Sequence, residues 1–171
     1  PCAIPDDETR APVSHTDPRM DSPNEPQIPV RLCNLILRDN SNEQWLQLAE
    51  VDGTRGFPIV IGINEAHEIQ RVLTGTEPPR PMTHQLALES IQALGGQVER
   101  VAITDLKDNT FYAQLILRTQ DGTELAIESR PSDALALGLR AGCEIHVAES
   151  VLESARTDQS GQDPLDDPKD F

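Results

Sequence analysis

Three short stretches of this chain bring together residue types that could do chemistry on a phosphodiester: Pro58 to Ala66, Pro78 to His84 and Glu128 to Leu137. Glu65, Glu128 and Asp133 are the candidate carboxylates, able to hold a divalent cation such as Mg²⁺ or Mn²⁺ or to act as a base. Arg80 and Arg130 are candidate phosphate clamps, because a guanidinium grips an anionic oxygen pair bidentately. Thr83 and Ser132 would add hydroxyl contacts at helix starts, where anions are already favoured. His84 is the candidate general acid, since an unperturbed imidazole titrates near neutrality. Each residue also fits a structural role: Arg130 and Asp133 as an ion pair bracing a turn, Ser132 as a helix cap, and Glu65 and Asp133 as first-turn acids that answer the helix dipole. Arg80 stands apart, held between prolines that pre-set an exposed cation.

The elements that must position these groups follow from apolar pattern and turn chemistry. Val30 to Leu37 and Gln44 to Val51 read as strands joined by a polar turn, and Phe57 to Gly62 as a third strand after Asp52-Gly53. Asn64 is the expected cap of a helix with Ala66, Ile69, Val72 and Leu73 on its apolar face, ended by Gly75. Beyond the proline-rich turn, Thr83 is the expected cap of a second helix that buries Leu86, Leu88, Ile91 and Leu94 and stops at Gly95-Gly96. Strands are expected over 98–106, 111–118 and 124–128, with turns at Asp108-Asn109 and Asp121-Gly122. A helix follows over 131–140, with Pro131 early and Gly142 closing it, then a strand over 144–147 and a short helix over 150–155.

Leu46 to Gly75 and Ala113 to Gly142 run in step. Asp52-Gly53 falls under Asp121-Gly122, Ile59 under Ile127, Glu65-Ala66 under Asp133-Ala134, and Gly75 under Gly142. The expected fold is therefore α+β: duplicated strand-strand-helix units forming one curved or barrel-like mixed sheet with helices packed outside. The repeat places Glu65 and Asp133 at equivalent points.

Composition sets the boundaries. The chain has 171 residues and a net charge of −15. Residues 1–27 and 156–171 are acidic, rich in Pro, Ser, Asp and Gln, and too poor in large apolar side chains to fold alone, so they are expected to be disordered tails around one domain over 28–155. That domain still carries ten Lys/Arg against eighteen Asp/Glu. A surface of this sign speaks against tight nonspecific binding to nucleic acid unless a cation or a local basic cluster intervenes. Three widely spaced cysteines, with no CxxC pair and no His at metal spacing, speak against a disulfide framework and a zinc site. With no apolar run of membrane-spanning length and no basic-then-apolar leader, a soluble cytoplasmic protein with no membrane partner is expected.

The order and spacing of the IGxxEA turn at 61–66, the PRPxTH loop at 79–84 and Arg130-Pro131-Ser132-Asp133-Ala134 resemble the bifunctional nuclease domain family over about residues 30–155. The resemblance implies an α+β fold with a barrel-like sheet, a DNase and RNase activity on nucleic-acid substrates, and assembly into homo-oligomers, dimers or larger. Residue 128 is Glu where the family pattern usually has Asp. Set against a cation-assisted nuclease is a non-catalytic interaction or regulatory domain, in which the same turn and loop form an oligomer interface or a small-anion pocket.

Overall fold

Residues 25–158 are described by a computed structural model of the chain. Seven strands and four helices follow one another as β1 (Gln27–Ile36), β2 (Glu43–Glu50), β3 (Gly56–Gly62), α1 (Ile63–Thr74), α2 (Thr83–Ala93), β4 (Gln97–Lys107), β5 (Thr110–Arg118), β6 (Glu124–Ser129), α3 (Pro131–Ala141), β7 (Glu144–Ala148) and α4 (Glu149–Asp158). Gln27 begins the first strand, and the last helix runs on to Asp158. The remainder of the two acidic tails lies outside the described residues.

The strands form one mixed sheet in the order β3-β2-β1-β7-β4-β5-β6. All neighbours are antiparallel except β4 and β7. Two β-β-β-α units therefore flank β7, and because β1 and β4 run on opposite sides of it in opposite directions, the units relate as by a two-fold axis through the sheet. This is the duplication expected from the sequence. The sheet curls without closing: the rings of Phe57 on β3 and Phe111 on β5, five places apart in strand order, stack with centroids 5.4 Å apart.

One face of the sheet carries the core. Leu46, Leu48, Phe57, Ile59, Val101, Ile103 and Leu115 alternate inward along their strands and meet Ala66 and Ile69 of α1, Leu135 and Leu137 of α3, and Val151 and Leu152 of α4. Burial of each large aliphatic side chain contributes about 1.5–3 kcal/mol. Asp108 and Asn109 both take positive φ in the two-residue hairpin between β4 and β5, and Gly75 and Gly142 end α1 and α3 in the left-handed conformation.

Helix starts depart from expectation. Gly62, not Asn64, precedes α1 as its cap, and Met82, not Thr83, precedes α2. On α2 the buried residue is Leu88, with Ala87 and Ile91 partly covered, while Leu86 and Leu94 face solvent, Leu94 being 85% exposed. The expected apolar set on this helix spanned more of the circumference than one neighbouring helix can cover.

Candidate functional site

The starts of α1, α2 and α3 deliver the cluster. In α3, Arg130 is the cap residue, Pro131 opens the helix with a fixed φ and no N–H to satisfy, and Asp133 sits in the first turn. The chain at Arg130 is extended, so its guanidinium can fold back over that turn: Nε donates to Asp133 Oδ2 at 2.7 Å and Nη2 to Asp133 Oδ1 at 3.0 Å. The repeat-related acid comes to the same cation, with Glu65 Oε1 2.9 Å from Arg130 Nη2. Gly62 makes this possible: a Cβ there would lie 2.4 Å from Glu65 Oε2. The carboxylate occupies the space that the missing side chain leaves.

From α2, His84 Nε2 reaches Asp133 Oδ1 at 3.0 Å. A carboxylate only accepts, so Nε2 carries the proton and Nδ1 is the nitrogen left to take or give one. Side-chain exposures are 18% for Glu65, 18% for His84, 28% for Asp133 and 65% for Arg130. The acids and the imidazole are thus tucked between helix ends, and the arginine is the group facing outward. Burial works to raise the Asp133 pKa, but hydrogen bonds from Arg130 and His84 outweigh it and hold the carboxyl below the usual aspartate value. The Arg130 guanidinium is held still more firmly protonated than usual, first by its hydrogen bonds to Asp133.

Four of the eight residues singled out from the sequence, Glu65, His84, Arg130 and Asp133, meet in this way. The others do not join the hydrogen-bonded cluster. Glu128 is exposed on β6 opposite Gln114, and strand alternation puts it on the other sheet face from core-facing Ile127. Thr83 is exposed at the first position of α2, and Arg80 is exposed in the loop before it. Ser132, the second residue of α3, is only 7% exposed, so its hydroxyl is turned into the protein.

As arranged, the donor set does not fit a divalent cation. Both oxygens of Asp133 and one of Glu65 are taken by Arg130 or His84, and among the described residues no three His, Cys, Asp or Glu side chains come together as a metal group. A guanidinium stands where the carboxylates would have to converge.

Beside the cluster lies a feature absent from the sequence-based expectations. Glu68 of α1 is buried and held between two arginines: Arg71 Nη2 donates to Oε2 at 2.7 Å, and Arg140 Nη2 of α3 donates to Oε1 at 2.7 Å. Burial raises its pKa, yet the two guanidiniums more than offset this and keep it lowered. The i,i+3 pairing of Glu68 with Arg71 was visible in the sequence. Arg140, 72 positions away, was not.

Comparison with known proteins matches residues 46–160 to the bifunctional nuclease domain. Two uncharacterised proteins of Mycobacterium tuberculosis, from strains CDC 1551 and H37Rv, are each 41% identical over 126 residues, covering 74% of this chain and 74% of theirs. Bifunctional nuclease 1 of Oryza sativa is 25% identical over 120 residues, covering 68% of this chain but 36% of the rice protein. No helix among the described residues is long and apolar enough to cross a membrane. The match runs from within β2 through α4 and includes all four clustered residues, and the chain belongs to the bifunctional nuclease domain family.

Proposed function

We propose that this domain cleaves phosphodiester bonds of DNA and RNA, with the junction of α1, α2 and α3 as its centre. The observation that carries the proposal is the outward-facing Arg130, braced by two carboxylates and adjoining a His–Asp pair. Arg130 binds a non-bridging phosphate oxygen through Nη1, the nitrogen its acids leave free. His84, its Nε2–H oriented by Asp133, exchanges a proton at Nδ1, taking it from the attacking hydroxyl or water or giving it to the leaving oxygen. Glu65 keeps the guanidinium aimed outward. Mg²⁺ or Mn²⁺ dependence, expected from the carboxylates, enters as a variable of the assay and carries no step here.

A second proposal draws on the same cluster. Arg130 closes its acids internally, and Met82, Leu86 and Leu94 are exposed apolar side chains along α2 and at its two ends, which suits an interaction domain that assembles with copies of itself. The separating experiment is cleavage of single-stranded DNA and RNA by purified protein with Mg²⁺, with Mn²⁺ and with EDTA, alongside folded Arg130→Ala and His84→Ala variants. The nuclease reading predicts a loss of about 100-fold or more in both variants. Activity absent throughout, or equal in the variants, would transfer the assignment to the interaction domain.

A further inference from the structure

Resting on the nuclease reading, the distribution of cations points to a substrate class: we infer that the domain takes short single-stranded oligonucleotides, held through one or two phosphates, and does not track a long strand or a duplex. Residues 28–155 contain ten lysines and arginines, and seven of them are ion-paired with carboxylates of this chain. Arg38 lies over the ring of Trp45. Arg80 and Arg31 remain as exposed cations outside those pairs. Arg31 alternates with core-facing Val30 on β1 and so faces the side of the sheet away from the helices that build the site. Arg80 lies in the loop that leads into α2, four residues before His84.

Arg130 itself is shared by Glu65 and Asp133, so with His84 neutral the cluster carries no net positive charge and a phosphate must compete for the exposed side of the guanidinium. Beyond Arg130 and Arg80, an extended polyanion would meet a domain that sets eighteen acids against the remaining eight bases of residues 28–155. Affinity for long nucleic acid comes chiefly from releasing counterions at each neutralised phosphate, and among the described side chains only one or two phosphates have a cation to meet beside the site. Length therefore adds repulsion without adding contacts.

The test compares a tetranucleotide with strands of about 30 nucleotides and duplexes of about 30 base pairs, measuring kcat/KM per bond between about 50 and 200 mM salt. With one or two phosphates neutralised, kcat/KM on single strands is expected to fall only about three- to sevenfold across that range, and the tetranucleotide to stay within about threefold of the long strand. Arg80→Ala should roughly halve the logarithmic salt slope, while Arg31→Ala leaves it unchanged. A long strand or duplex cleaved more than about 30-fold better than the tetranucleotide, with a loss above about 100-fold over the same salt range, would overturn the inference and leave the nuclease reading standing. Failure to cleave any of the three would remove both.

Discussion

Asp133 accepts from Arg130 on both oxygens and from His84 on one, so its loss unties two other side chains. Asp133→Asn is expected to cost about 1–3 kcal/mol at about pH 7, because charge-assisted bonds become neutral ones and one oxygen becomes a donor. A carboxyl whose pKa is lower folded than unfolded contributes stability above the unfolded value, and that contribution disappears as pH falls through the folded value. Urea unfolding should therefore show the wild type and Asp133→Asn diverging near neutrality and converging in acid, once the pH has fallen below the ordinary aspartate range and through the lowered folded value. At Gly62 the expectation is the reverse combination. Gly62→Ala leaves the cap's extended backbone unstrained but pushes the Glu65 carboxylate off Arg130, so kcat/KM should fall about tenfold while the unfolding midpoint moves little.

At the scale of elements, α1 and α3 are held together by more than apolar packing. Glu68→Ala would leave the half-buried Arg71 and Arg140 without their shared acid, a loss of about 1.5–3 kcal/mol, readable as a lower urea midpoint. Glu68→Gln, which keeps the hydrogen-bond acceptor, should cost less. The elements themselves were legible: apolar alternation and the Asp-Gly, Asp-Asn and terminal-Gly signals placed each strand and helix within a few residues, because those signals are local. The cap at Gly62 was missed because a polar residue, Asn64, stood two places further on. The exposed side of α2 was missed because periodicity gives an apolar direction but not the breadth of the neighbour that covers it. In the site, the repeat related Glu65 to Asp133, but only the folded chain brings both to one guanidinium and leaves Glu128 on the other sheet face.

For the whole molecule, strand order was the least legible feature, since nothing local marks β7 as central. It is the last strand among the described residues and the middle one in the sheet, and it alone among them joins β1 to β4. Synthesis therefore produces two three-stranded halves before the strand that unites them emerges. Until Glu144–Ala148 leaves the ribosome, β1 and β4 each present an unpaired edge, the kind of edge that recruits strands from other chains. A chain ending at residue 143 is expected to lack a cooperative unfolding transition and to aggregate, as followed by light scattering, although it retains all four residues of the cluster. The final stretch of the domain contributes none of those four side chains, yet its arrival decides when the two halves become one protein.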